Sequence, residues 1–364
     1  MEAAANPANE EYKGRTRSRA RTSVVAPTFA MSKSMSSEMA LRDDVEASYQ
    51  RALNFLTVNE PERRLDICLS YKYFLSLEEQ AHALYGDAKY PRVEYSATDS
   101  RVTIYTAPTA LHSSSAVALQ QAISFSLHDI LVQHGKQELF ERIVPVGEST
   151  YESVDDQGSG STKTPDGGLQ YYWNGRTILT VVIEAGFSEG YSQLRDDIMV
   201  WLNEMHSRCA ILLWLNERPR FRFPKITRNR VYAVTQLPLF TSAIEQMARD
   251  TPLGPYRYNQ HNWFGTIDSA YIVVYRQDMP TNSHPYNSCP VVENGTLVVH
   301  GATLDIGLTI GDLFPPDEEQ IADIQSEPVH VKAQYLLNAL SSGAQNTAKA
   351  RFNRFLRRSS SDQG

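Results

Sequence analysis

Two acids stand where this chain reads as strand, and their placement carries its chemistry. Asp166 lies in Lys163-Thr-Pro165-Asp166-Gly167-Gly168, and Glu184 closes the run Ile178-Leu-Thr-Val-Val-Ile183. That run is apolar without alternation, the pattern of a strand buried on both faces. A carboxylate at the end of such a strand faces a poor solvent and needs a hydrogen bond, a counter-charge or a cation. Two such acids converging on one point make a donor set for a hard divalent metal such as Mg²⁺. The plainer alternative is a hydrogen-bonded turn aspartate and an unrelated strand-end glutamate.

Register decides between these. Asn174-Gly175, between Tyr171-Tyr-Trp173 and Arg176-Thr-Ile178, is a strong two-residue hairpin signal. Counting back from that turn pairs Pro165 with Glu184 and Asp166 with Ile183, which sends the two acids to opposite faces. A shared site therefore requires a one-residue shift. Gly167-Gly168 is where a β-bulge is expected to supply it, unless the turn at Asn174 holds three residues.

The elements that must hold these residues can be read more coarsely. A helix is expected over 41–56 and two short strands over 92–107, around Thr98-Asp99-Ser100. The clearest helix covers 113–133: Leu119, Ile123, Leu127, Ile130 and Leu131 share one face, with Ser113 or Ser114 as cap and Gly135 as stop. His112 either caps this helix or lies near the acids. Residues 146–165, with Glu148, Glu152, Asp155 and Asp156, read as a long flexible loop. A helix over 190–204 buries Leu194, Ile198, Trp201 and Leu202, leaving Asp197 on its surface or fixing a neighbouring loop. Cys209 to Leu215 is another buried strand. Further strands are expected at 230–236, 269–276 and 295–300, and helices at 330–340 and 344–357. Residues 1–41 read as a disordered tail, 42–340 as one domain, and 341–364 as a basic helical or disordered tail.

Composition sets limits. The chain has 364 residues, 41% of them hydrophobic, enough for a real core. No run is long enough to span a membrane, and the three cysteines make no metal-ligand spacing, which suits an intracellular protein of nucleus or cytoplasm. Residues 1–22 carry net +2 and 344–364 net +4, so with a total of −7 the residues between carry −13. Such a core argues against tight non-specific DNA binding. Within it, Arg218, Arg220, Arg222, Lys225, Arg228 and Arg230 form a run with no acid. Alternation places Arg218, Arg220 and Arg222 on one strand face, either to cradle phosphates or to keep an edge strand from aggregating. Lys13 to Arg21 is a basic patch of the nuclear-import kind or simply a solvated tail. No phosphate-binding Gly loop, Ser or Cys nucleophile with a His partner, or zinc pattern is present.

Taken together, Lys-x-Pro-Asp-Gly, an apolar strand closing in Glu184-Ala-Gly-Phe-Ser188, then Tyr191-x-x-Leu194-x-x-Asp197-x-x-x-Trp201-Leu202 and a second apolar strand resemble the PD-(D/E)XK nuclease-like superfamily. The branch most resembled is the restriction-endonuclease-like domains abundant in fungi. Ala107 to His112 and Leu308 to Pro315 fit that branch too. The resemblance implies an α/β fold with an αβββαβ core, a mixed central sheet flanked by helices. It also implies a Mg²⁺- or Mn²⁺-dependent phosphodiesterase acting on nucleic acid, with Asp166 and Glu184 as metal ligands. The lysine such enzymes place two residues after the second acid is replaced here by Gly186. Lys163 and Arg195 are the nearest substitutes, although a guanidinium cannot serve as a base. The alternative is a degenerate member that binds a partner or nucleic acid without cleavage.

Overall fold

The computed structural model describes residues 32–57, 63–86, 88, 90–147, 149–153, 160–187, 190–224, 236–277, 288–298 and 301–361, with side chains between 44 and 358. The chain divides into two units, residues 1–47 and 48–364. In the first, the described residues 32–47 are helical. The site lies wholly in the second.

In chain order the elements are α1 (Ser32–Thr57), β1 (Arg64–Cys68), α2 (Tyr71–Tyr85), β2 (Arg92–Ser96), β3 (Arg101–Tyr105), α3 (Ala110–Gln133), β4 (Ile143–Val146), β5 (Tyr151–Glu152), β6 (Thr162–Lys163) and β7 (Gly167–Trp173). There follow β8 (Arg176–Phe187), α4 (Tyr191–Asn203), β9 (Cys209–Arg218), α5 (Leu237–Asp250), β10 (Tyr256–Tyr258), β11 (His261–Phe264) and β12 (Thr266–Arg276). The chain continues through β13 (Ser288–Glu293), β14 (Thr296–Leu297), β15 (Thr303–Thr309), β16 (Pro328–Lys332) and α6 (Ala333–Ser361).

The fold is α/β, built on a mixed seven-stranded sheet in the order β14-β13-β12-β9-β8-β7-β4. Its β8 and β9 run parallel and its other pairs antiparallel. The absence of alternation in β8 and β9 has a direct cause, since both faces are covered. Val181, Ile183, Ala185 and Phe187 join the core that includes α3 and α6, while Leu179 and Val182 pack with Leu194, Ile198 and Trp201 of α4. A second, five-stranded sheet has the order β1-β3-β2-β6-β5.

Helix α3 starts earlier than its apolar stripe suggests, because Thr109 rather than Ser113 or Ser114 is the cap, accepting from the His112 amide at 3.1 Å. Gln120 then donates to the Val146 and Gly168 carbonyls and ties α3 across β4 and β7. The C-terminal segment is no tail. Helix α6 runs without a break from Ala333 to Ser361, with Ala344, Ala348, Phe352, Phe355 and Leu356 buried, and the boundary expected after 340 falls inside it. Residues 330–332, expected as helix, belong to β16, and helix α5 escaped the sequence reading. Of the tail expected over 1–41, residues 32–41 are helical and begin α1, while 1–31 with the basic patch, most of the strand expected at 230–236, and Lys225, Arg228 and Arg230 lie outside the described residues.

The hairpin holds the decisive register. Asn174 and Gly175 have φ of 50° and 79°, a two-residue turn pairing Trp173 with Arg176. Gln170 pairs with Leu179, but Leu169 pairs with Val181 and Gly167 with Ile183. The extra residue is therefore Thr180, on β8 and not at the glycine pair, and its hydroxyl donates to the Leu169 carbonyl at 3.1 Å. The glycines serve a different end. A Cβ on Gly168 would stand 2.4 Å from the Val181 carbonyl oxygen, so only glycine lets the strands close around the irregularity. Replacing Gly168 with Ala should cost about 1–3 kcal/mol in urea unfolding; a change within ~0.5 kcal/mol would show that this close approach is not needed.

Candidate functional site

After β4 the chain leaves the large sheet, adds β5 and β6 to the small one, and returns through Thr164-Pro165-Asp166 to start β7. The stretch expected as a flexible loop is thus partly structural: Ser161, Thr162, Lys163 and Thr164 are buried, while Glu148 and 154–159 lie outside the described residues. Where the sheets meet is a cleft of about 570 Å³, lined by Asp166 and Glu184, by Arg64, Arg92 and Tyr105 of the small sheet, by Thr109 and His112 at the start of α3, and by Asp197 of α4.

Both acids reach this cleft, Asp166 from the residue just before β7 and Glu184 from within β8. The Asp166 amide donates to the Ile183 carbonyl at 3.1 Å. Its Oδ2 accepts the Ala185 amide at 2.9 Å and lies 2.9 Å from His112 Nε2, while Arg92 Nη2 is 4.0 Å from Oδ1. Burial alone would raise the Asp166 pKa, but His112, Arg92 and the Ala185 amide outweigh it and hold it at about 2. Glu184 Oε1 accepts the Trp201 indole N–H and lies 3.6 Å from Lys163 Nζ. Burial, reinforced by Asp166, Asp197 and Glu94, overrides Lys163 and pushes Glu184 up to about 8. Adjacent carboxyls are thereby split, one ionised and one protonated at neutral pH.

Lys163 sits among three acids: Nζ is 3.1 Å from Glu94 Oε2, 3.4 Å from Asp197 Oδ1 and 3.6 Å from Glu184 Oε1. Burial would lower its pKa, yet these acids hold it well above its usual value, so it stays an ammonium ion and cannot act as a base. It is nine-tenths and more buried and lies outside the cleft lining, beneath Glu184. Asp197 is gripped by Arg64 from β1 and accepts Tyr105 Oη at 3.2 Å. Burial would raise its pKa, but Lys163 and Arg64 lower it. Glu94 accepts the Thr164 amide at 3.0 Å and fixes the returning chain.

Asp166, Glu184 and Lys163 thus come together as the sequence suggests, while the other candidates do not all join them. Arg195 is half exposed on the outer side of α4, 3.7 Å from Asp196. Asp197, expected on the helix surface or fixing a neighbouring loop, is buried and bonded to Arg64 of β1, and its place on the stripe of Leu194, Ile198 and Trp201 is the signal for that burial. Strand β9 ends at Arg218 and residues 219–224 form no strand, so the three arginines do not share a strand face. Arg218 is exposed and 3.8 Å from Asp268, Arg220 alone lines the cleft, and Arg222 points to a separate groove. Arg64, Arg92, Glu94 and Tyr105 went unnoticed because a second sheet supplies them, and no local pattern marks that contact. Position 186 carries no lysine, and a Cβ there would lie 2.0 Å from Leu194 Cδ1, so a side chain at that position requires Leu194 to shift.

Among the described residues, Asp166 Oδ1 and Glu184 Oε2 accept no hydrogen bond, and no three His, Cys, Asp or Glu side chains form a ready-made ligand set. Two free carboxylate oxygens suit a hard cation that fills its remaining positions with water and phosphate oxygens. No protein-family model, curated protein or solved structure matches this chain. Among the described residues no helix is long and apolar enough to cross a membrane.

The raised pKa of Glu184 has a thermodynamic signature. The native state holds a proton there that the unfolded chain releases above its ordinary value near 4.5, so this group's contribution falls as pH rises from about 4.5 through 8. Glu184→Gln should therefore gain stability relative to the native protein over that window, read as the difference in unfolding midpoints at pH 5 and about 8. Parallel profiles for the two proteins would contradict the assignment.

Proposed function

We propose that this chain is a restriction-endonuclease-like phosphodiesterase acting on nucleic acid, with a divalent cation held between Asp166 and Glu184. The observation that carries the reading is that both acids line one cleft, where among the described residues Asp166 Oδ1 and Glu184 Oε2 accept no hydrogen bond. The succession α3, β4, β7, β8, α4, β9, with β4-β7-β8-β9 adjacent in the sheet, fits the αβββαβ core that the motifs imply.

The chain's own residues have definable roles in this reading. Asp166 is kept ionised and aimed by the Ala185 amide and His112. Glu184 gives up its proton on becoming a ligand. Arg92 lines the cleft, with Nη2 4.0 Å from Asp166 Oδ1, and puts a guanidinium charge beside the place a phosphate would occupy. Lys163 holds Glu184 and Asp197 in place from below. When bound, Mg²⁺ or Mn²⁺ supplies a more acidic water and neutralises charge growing on the phosphate.

Binding without cleavage is the second reading, and a specific observation favours it. The usual lysine position holds Gly186, and Lys163 is enclosed by three acids and does not line the cleft. The two separate in an assay of labelled DNA and RNA, single-stranded and duplex, with Mg²⁺ or Mn²⁺. The expected result is metal-dependent cutting that falls ~100-fold or more in Asp166→Ala and in Glu184→Ala. Retained binding without any cutting would establish the second reading, and cutting that survives both substitutions would rule out this site.

A further inference from the structure

Beyond the cleft, a second groove of about 780 Å³ runs between the segment after β9 and the β10–β11 hairpin, lined by Arg220, Phe221, Arg222, Arg257 and His261 among others. Arg220 lines both this groove and the cleft, so it stands between the two. We propose that the groove carries the phosphodiester backbone of the same nucleic acid, the strand leaving the cleft past Arg220 and crossing Arg222 and Arg257. This rests on the nucleic-acid reading above and adds a binding track to it.

Three observations support the track. First, Arg220, Arg222 and Arg257 are exposed, and among the described residues none of them makes an ion pair. Arg218, which precedes them, stands instead 3.8 Å from Asp268. Second, among the described residues no acidic side chain lines the groove. Guanidinium groups without carboxylates present paired N–H donors to phosphate oxygens. Third, the arginines are positioned by a rigid support. Phe221, between Arg220 and Arg222, packs under the Arg351 guanidinium, 4.4 Å from its ring centre, and against Trp263. Arg351 is itself fixed by Glu217 at 2.8 and 2.9 Å. With Phe221 anchored inward, its neighbours are held outward and their spacing is set before any ligand arrives. An acidic protein would also meet these charges, but the sharing of Arg220 with the cleft that holds Asp166 and Glu184 favours a phosphate chain.

The test is equilibrium binding of labelled single-stranded and duplex DNA to the full chain in EDTA, so that hydrolysis plays no part. Relative to the native protein, Arg222→Glu with Arg257→Glu should lower affinity about 10-fold or more. It should also reduce the slope of log K against log salt by about 1.4 for single strands or about 1.8 for duplex. Arg222→Lys with Arg257→Lys should keep the slope, and both double variants should keep the native unfolding midpoint. Unchanged binding and slope in the glutamate variant would overturn the groove and leave metal-dependent cutting to stand on its own assay. Weakened binding in a chain that never cuts would uphold the groove and remove the hydrolysis. Displacement of the DNA by polyglutamate as readily as by unlabelled DNA would mark an acidic protein as the occupant and overturn the proposal.

Discussion

One extra residue in one strand governs this site. With strict pairing from the Asn174-Gly175 turn, Asp166 and Glu184 would face opposite sides of the sheet. Thr180 adds a residue to β8 and moves the pairing by one as far as Gly167 with Ile183; Asp166, just before β7, and Glu184 both line the cleft. The hydroxyl of Thr180 on the Leu169 carbonyl and the bare Cα of Gly168 against the Val181 carbonyl stabilise that local departure. Every other property of the cleft follows from where this places the two carboxylates.

What surrounds the carboxylates is an ion network drawn from two sheets and two helices. Buried charges are costly unless each has partners, and here they are interleaved: Arg64 with Asp66 and Asp197, Lys163 with Glu94, Asp197 and Glu184, Arg92 with Glu94 and near Asp166. The network locks the small sheet to the large one and leaves its two central acids electrically unequal. Asp166 has its cations close by on the cleft side. Glu184 shares its ammonium with two other acids and is left protonated. That inequality is what a cation entering the cleft would encounter, a ready anion beside an acid that ionises on binding.

The sequence was most informative where structure is local. The two short strands at Arg92–Ser96 and Arg101–Tyr105, the helix through Leu119 to Leu131, the Asn-Gly hairpin and the doubly buried β8 and β9 are visible from periodicity and turn chemistry. The need for a register shift was also legible, since it follows from counting; its location on Thr180 was not, because a β-branched residue in an apolar run carries no bulge signal. Lys163 was legible as a nearby cation, but its three-acid cage was not. Glu94 is 69 positions away, and pairing between β2 and β6 rests on a single bridge, Tyr95 with Thr162. Arg195 was misplaced because proximity in sequence was taken for proximity in space: on α4 it stands one position after Leu194, which faces inward, and so faces out. His112, expected as cap or site residue, is a site neighbour, since Thr109 takes the cap and turns the imidazole toward Asp166.

The claim at the centre is that Asp166 and Glu184 act as one donor set for a divalent cation. Calorimetric titration of the full chain with Mn²⁺ measures it directly. The account predicts a single saturable site that is lost in Asp166→Ala and equally in Glu184→Ala, with the fold intact by circular dichroism. Binding that survives either substitution unchanged, or a folded native protein that takes up no cation, would contradict it.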